Sequence, residues 1–337
     1  MPPFWPELAA SVEEFDAFLA SFLQSKREEL SEARPMIDEI SRSISAGGKR
    51  LRPCFCYWGY RAAGGDDGAQ IVAASSSLEL LHTFALVHDD IMDRSHERRG
   101  LPTTYSLHGT DVALLVGDLA LVLADAALME SGFEPAALRR AFEPYSRMRQ
   151  QVIAGQYLDV VAARAAEMSV EKARRIAVLK SGRYTIQEPL AIGAALAGAT
   201  SDLMKGLAAF GGPIGEAFQL RDDLLGSFGD TSETGKPADS DIRQGKRHVL
   251  YAFALGSLEG SARSSFQQRW GGGDSLSSED VAELKQILVD SGARARCEGL
   301  LTGLRDQGLK ALDDLLLDAE LSSALTELAL RATDRVL

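Results

Sequence analysis

Apolar residues in this chain recur three and four positions apart over almost its whole length, while alternating β-branched runs of strand character are almost absent. That periodicity restricts the fold to packed helices. The stretch 12–29 opens the pattern, with Phe15, Phe18, Leu19 and Phe22 sharing one face. Further helices are expected over 69–93, 112–129, 143–163, 170–179, 184–197, 202–224, 249–255, 278–290 and 293–317. The 69–93 stretch is apolar around most of its circumference, which predicts a buried helix. Breaks fall at Gly64-Gly65-Asp66-Asp67-Gly68, Gly100-Leu101-Pro102, Ser131-Gly132 and Gly271-Gly272-Gly273, none with the character of a linker. We therefore expect an all-α protein: a single domain over 1–337, built as a bundle of long helices around a central cavity.

Charge narrows the partners. A formal net charge of −12 argues against nucleic acid, whose phosphate backbone needs a basic face. A small phosphorylated ligand held by local cations and metals stays compatible. Three cysteines, Cys54, Cys56 and Cys297, are too few for a disulfide framework and are expected as reduced core residues. The first residues, Met1-Pro2-Pro3-Phe4-Trp5-Pro6-Glu7, lack the regions of a signal peptide. No apolar run reaches membrane-spanning length without a charge or glycine interrupting it. A cytoplasmic location is the expectation.

Two aspartate-rich stretches carry the chemistry. The first is His88-Asp89-Asp90-Ile91-Met92-Asp93, followed by Arg98-Arg99; the second is Gln219-Leu220-Arg221-Asp222-Asp223-Leu224-Leu225-Gly226. On a helix, Asp89 and Asp93 lie one turn apart and Asp90 and Asp93 three residues apart, so all three can project to one side. Clustered carboxylates repel one another, so a cation is needed to make the arrangement sensible. Mg²⁺ suits it, because that ion commonly shares one or two carboxylates with substrate phosphates. The two clusters are expected as walls of one metal–diphosphate clamp, metals being held by Asp89, Asp90, Asp93, Asp222 and Asp223. Basic residues at Gly47-Gly48-Lys49-Arg50-Leu51-Arg52, Arg98-Arg99, Lys180, Lys236 and Lys246-Arg247 suit an anion. The polar stretch 226–245 is expected as a lid. By contrast, Asp313, Asp314 and Asp318 have no basic run nearby and read as a solvated helix face. Asp66-Asp67 reads as a loop tip. His88 and His96 read as structural, since Mg²⁺ prefers oxygen.

The run from His82 to Asp93 with Arg98-Arg99-Gly100-Leu101-Pro102-Thr103 resembles the first aspartate-rich motif of the trans-isoprenyl diphosphate synthases. The likeness extends to Gly47-Gly48-Lys49-Arg50-Leu51-Arg52-Pro53, Gly155-Gln156-Tyr157-Leu158-Asp159, Lys180-Ser181, Phe218 to Asp223, and Gly235-Lys236 with Asp241 to Arg247. The resemblance implies head-to-tail 1′-4 condensation of isopentenyl diphosphate with an allylic diphosphate, using about three Mg²⁺ ions. It also implies a homodimer. Under it, Arg98, Lys180 and Lys236 match contacts to the allylic diphosphate. Gly48, Lys49, Arg52, His82 and Arg99 match the isopentenyl diphosphate site. Ser181 stands where many members have threonine, Gln219 matches a residue near the reacting centre, and Asp159 and Lys246 support the cleft. Gly226 departs from the family's final aspartate.

The resemblance places the floor of the product pocket one to two turns before Asp89, at Leu81, Phe84 and Ala85. A single aromatic there resembles producers of the twenty-carbon product, geranylgeranyl diphosphate; a farnesyl or longer-chain synthase is the alternative. A class I terpene cyclase would need a second metal motif of Asn/Asp, Ser/Thr and Glu that the chain lacks. It would also leave Lys49, Arg52 and Arg99 without purpose. For a non-catalytic subunit of a heteromeric prenyltransferase, only Gly226 speaks.

Overall fold

The computed structural model describes residues 6–163, 165, 167–229 and 239–334. Among these, helices dominate: α1 (Pro6–Glu29), α2 (Arg34–Ser45), α3 (Leu51–Ala62), α4 (Ala69–Met92), α5 (Thr104–Met129), α6 (Pro135–Ala162) and α7 (Val170–Ala177). A π-helix over Val178–Gln187 runs into α8 (Glu188–Leu196). Then come α9 (Ser201–Phe228), α10 (Ser240–Gln244), α11 (Val249–Leu255), α12 (Gly260–Arg269), α13 (Ser278–Asp290), α14 (Ala293–Asp313) and α15 (Ala319–Thr333). Two-residue strands β1 (Glu97–Arg98) and β2 (Leu101–Pro102) pair antiparallel.

The all-α expectation holds, with differences at particular elements. The stretch 112–129 is part of a longer helix: α5 starts at Thr104, whose neighbour Thr103 caps it by accepting the Ser106 N–H at 3.0 Å. Inside α5, Gly109 at φ 78° breaks the helical path. Helix α6 begins well before residue 143, because Pro144 is carried inside it. The stretch 184–197 starts in the wider π-helix. Helices α2, α3, α10, α12 and α15 lie outside the expected set. Helices α4 and α5 are long and apolar enough to cross a membrane by length and composition, with 72% and 44% of their apolar windows buried.

The helices gather into two compact units. The first comprises Met1–Tyr145, Glu188–Leu207 and Leu316–Leu328; the second comprises Ser146–Gln187, Ala208–Leu315 and Ala329–Leu337. In the first, α4 is packed by α1, α2, α3, α5 and α8. Its core includes Phe15, Ile37, Phe55, Trp58, Leu78, Leu80 and Leu81, all buried. Helices α3 and α8 meet backbone to backbone: a Cβ on Gly193 would collide with the Cys56 carbonyl, so no larger residue fits that crossing. The second unit is built on Leu220, Leu224, Leu250, Leu284 and Leu301 with the aromatic group Tyr251, Phe266 and Trp270. Those rings lie 5.2–5.3 Å apart by centroid.

Candidate active site

In the first unit, α4 ends on the aspartate motif. Asp90 is buried, and both its oxygens accept from Arg98: Nε at 2.9 and 3.1 Å, Nη2 at 2.7 Å. Asp89 lies 3.5 Å from the same guanidinium, and Asp93 closes the helix as its C-cap. Arg98 and Arg99 project from the short hairpin, where Arg99 and Gly100 turn the chain at φ 55° and 74°. The hairpin is pinned to the following helix by Thr103, whose hydroxyl donates to the Ser95 carbonyl at 2.7 Å.

The loop before α3 brings the second basic group. Arg99 donates to the Gly47 carbonyl. A Cβ on Gly48 would lie 2.9 Å from Arg50 Nη1 and 3.2 Å from Arg99 Nη2, so glycine lets two guanidiniums pass close to the backbone. Arg50, in left-handed conformation at φ 49°, is only 4% exposed. It donates to Asp16 on α1 at 2.7 Å, to Glu79 on α4 at 3.1 Å and to the Ile44 carbonyl of α2 at 2.9 Å. Burial and the charges of Arg52, Arg99, Arg98 and Arg50 drive His82 well below the ordinary imidazole range. A neutral His82 thus sits amid four guanidiniums. Arg99 is itself held below its ordinary value by burial, opposed by Glu79 and reinforced by Arg50, Arg98 and Arg52. Lys49 is half-buried on the same loop.

The expected floor residues lie on α4 in this unit. Leu81 is fully buried, while Phe84 and Ala85 are partly exposed. Phe84 stands edge-on to His88 with centroids 4.8 Å apart. His88 is fixed in turn by the Leu114 carbonyl at 3.1 Å and fills the space above Gly117 of α5, where a Cβ would strike its ring. His88 therefore positions an aromatic side chain.

In the second unit, Lys180 and Ser181 lie in the π-helix, whose wider turn offsets their direction from α7. A Cβ on Gly155 of α6 would overlap the Lys180 backbone, and Gly182 meets Gly215 of α9 in the same way. Asp159, one turn after Gly155, accepts from Lys180 Nζ at 2.7 Å and lies 4.0 Å from Lys246 Nζ. Lys246 is placed by its neighbours: its carbonyl accepts from Trp270 Nε1 at 3.1 Å. On α9, Gln219 Nε2 donates to Asp223 Oδ1 at 2.8 Å. Asp223 is 4% exposed, and burial pushes its carboxyl up to about 6, with His248 and Gln219 opposing and Asp241 and Asp222 adding to the rise. Gly226 lies against the Asp241 side chain. Lys236 and the 230–238 part of the expected lid lie outside the described residues; the rest of that stretch includes the end of α9 and the short helix α10.

The structure thus brings Lys49, Arg52, His82, Asp89, Asp90, Asp93, Arg98 and Arg99 into one unit, and Lys180, Ser181, Gln219, Asp222, Asp223 and Lys246 into the other. Sequence reasoning names Arg50 only within the basic run after Gly47-Gly48, without a role of its own, and passes over Glu79 and His248. For Arg50 the available signal was the density of charge beside a glycine pair.

Oxygen-rich carboxylate sets with adjoining guanidinium and ammonium groups fit a diphosphate and a hard divalent cation. The comparisons agree with that chemistry. The polyprenyl synthetase family model matches residues 34–288. A geranylfarnesyl diphosphate synthase of Aeropyrum pernix is 37% identical over 254 residues, covering 74% of this chain and 78% of that one. A (2E,6E)-farnesyl diphosphate synthase of Mycobacterium bovis is 35% identical over 262 residues, covering 76% and 71%. A solved geranylgeranyl pyrophosphate synthase from Corynebacterium glutamicum, complexed with isoprenyl diphosphate and magnesium, superposes with a TM-score of 0.92. It is 35% identical and the match covers 96% of this chain and 98% of that one. The chain belongs to the polyprenyl synthetase family, has the isoprenoid synthase fold and is a trans-prenyltransferase.

Proposed function

We propose that this enzyme condenses isopentenyl diphosphate with allylic diphosphates head to tail, in a magnesium-dependent reaction whose main product is geranylgeranyl diphosphate. The observation that carries the reading is the basic group beside the first aspartates: Arg98 paired with Asp90, Arg99 on the Gly47 carbonyl and Arg50 against Gly48. His82 is held neutral by burial and by their charge. A neutral imidazole can donate to a diphosphate without adding to the repulsion among the guanidiniums. Lys49, Arg52, His82 and Arg99, with the backbone at Gly48, hold isopentenyl diphosphate. Arg98, Lys180 and Lys236 hold the allylic diphosphate.

In the reaction, the allylic C–O bond breaks with both electrons leaving on the diphosphate. The double bond of isopentenyl diphosphate supplies the electrons of the new C–C bond, and the released diphosphate takes the proton that is lost. Magnesium, when bound, would supply charge neutralisation for the leaving diphosphate. Asp89, Asp90, Asp93, Asp222 and Asp223 would be the carboxylates that hold it, and Asp90, paired with Arg98, also orients that guanidinium toward the developing charge. Ser181 and Gln219 line the reacting end, and Asp159 holds Lys180 in place. Such a reaction asks for no nucleophilic side chain.

Product length rests on Phe84, held by His88, with Ala85 and Leu81 on the same stretch of α4. Phe84 blocks further growth once the chain holds twenty carbons. Purified protein with isopentenyl diphosphate, each allylic starter and Mg²⁺ tests the whole reading. A twenty-carbon alcohol after dephosphorylation is expected. Absence of condensation sinks the activity, and a fifteen- or twenty-five-carbon main product sinks the length assignment.

The reading includes a homodimer. Leu114, Leu115, Val122 and Met129 are exposed along the part of α5 after Gly109 at spacings near seven, an apolar stripe on one helix. A second copy presenting the same stripe covers it isologously. Light scattering should give twice the 36.3 kDa chain mass, and Val122→Glu with Leu115→Glu should give the monomer. The three cysteines are free and buried, which suits a reducing cytoplasm.

A further inference from the structure

We propose that Asp241 is the third carboxylate of the second aspartate set, delivered from a separate segment into the space that Gly226 leaves. The proposal rests on the magnesium–diphosphate reading above. Gly226 follows Asp222 by one turn of α9, so a side chain at 226 would share a face with Asp222. That is the place where a carboxylate is missing from the helix. A Cβ built on Gly226 would lie 2.5 Å from Asp241 Cγ and 3.0 Å from its Oδ1, and would collide with Oδ2. The Asp241 carboxylate therefore fills the volume that any residue larger than glycine at 226 would need. Glycine at 226 and aspartate at 241 are two halves of one arrangement.

The Asp241 backbone is fixed, since its carbonyl accepts from the Lys246 N–H at 3.0 Å within the turn that closes α10. Its side chain has a neighbour in His248. The Nδ1 of His248 accepts the Tyr251 N–H at 3.2 Å, which places the ring N–H on Nε2, 3.9 Å from Asp241 Oδ2 and 3.4 Å from Ser227 Oγ. The imidazole thus faces the carboxylate with its positive edge.

A second, independent observation points to a ligand. Asp223 is buried, its Oδ1 is bonded to Gln219, and its Oδ2 has no hydrogen-bond partner among the described residues. A buried carboxylate oxygen left without a partner asks for a cation. Asp222 and Asp223 lie on α9 one turn before Gly226, and the Asp241 carboxylate lies against Gly226, so the three carboxylates belong to one end of that helix. Hard oxygen donors in that number suit a divalent cation that keeps several waters. Asp241 acts on the cation directly or through one of those waters, as a charge that Gly226 no longer permits from α9.

The test measures binding of Mn²⁺, by electron paramagnetic resonance, to the full chain with inorganic diphosphate. Asp241→Asn is expected to weaken the Mn²⁺–diphosphate complex by about 10- to 100-fold while the metal-free melting temperature holds. Gly226→Asp alone should also weaken it, because two carboxylates then compete for one volume. The double variant Gly226→Asp with Asp241→Ala should recover binding to within about threefold of the natural chain, the carboxylate having moved back to α9. Unchanged binding in Asp241→Asn overturns the proposal, as does a double variant no better than its parents. Asp223→Asn separates the two levels: if it loses binding and Asp241→Asn does not, only this inference fails. If the natural chain itself does not bind Mn²⁺ with diphosphate, the underlying reading of the site fails.

Discussion

Asp90 and Arg98 form a two-pronged pair, the buried carboxylate accepting from both Nε and Nη2 of the guanidinium at 2.7–3.1 Å. Asp90 thus makes a closer hold on Arg98 than Asp89, which lies 3.5 Å from the same guanidinium. Arg98 keeps its charge because Asp90, Asp89 and Asp93 offset the cost of burial. Removing a preorganised donor of this kind costs about 100- to 1,000-fold in kcat. We expect that loss for Arg98→Lys, since lysine cannot reproduce the fork. Steady-state kinetics with both substrates will show it; activity within a few fold of the natural enzyme would count against the role.

Phe84→Ala removes the ring that stands against His88. Products longer than twenty carbons are expected on sizing the dephosphorylated alcohols. An unchanged product would mean that another side chain sets the floor.

Arg50 ties α1, α2 and α4 to the glycine loop through one nearly buried guanidinium. Glu79→Ala leaves that charge poorly compensated, and breaking such a buried pair costs about 3–5 kcal/mol. We expect a matching fall in unfolding free energy by urea. The milder Glu79→Gln should raise KM for isopentenyl diphosphate more than for the allylic partner. Equal changes in both would remove the assignment of this loop to isopentenyl diphosphate.

Asp223 gives a pH signature in the metal-free protein. Its carboxyl rises from 3.8 to about 6 on folding, so the folded state holds a proton that the unfolded chain releases. The resulting stability is full below about pH 4 and is lost as pH rises through about 6. Asp223→Asn mimics the protonated carboxyl and loses nothing as pH rises, so its melting temperature should gain on that of the natural chain across that window. A difference that stays constant or moves the other way with rising pH would refute the burial account.

The thiols offer a test of the core. Burial pushes Cys56 up to about 12 and raises Cys297 as well. A disulfide-exchange reagent should leave Cys54, Cys56 and Cys297 untouched in the native protein and titrate all three after denaturation.

Long amphipathic helices and the first aspartate motif were legible from local sequence, because periodicity and contiguous carboxylates need no tertiary contact to be seen. Helix α3 was not. It buries every residue from Pro53 to Gly59, so no polar face marks its period. Arg50 belonged to a motif, yet its partners Asp16 and Glu79 lie 34 and 29 positions away, and only packing shows the charge to be buried. The gap at Gly226 was visible in the sequence; the residue that fills it was not, since a close approach between α9 and α10 decides it.

Helix α4 carries the first aspartates and the proposed floor, and five other helices of its unit press on it. Amide protons in such an element exchange with solvent only through the deepest openings of the fold. Its central amides should then be among the slowest in the chain to take up deuterium, with or without substrate. In that case the carboxylate geometry of the first motif is built at folding, and turnover proceeds against a frame that ligand binding does not have to assemble.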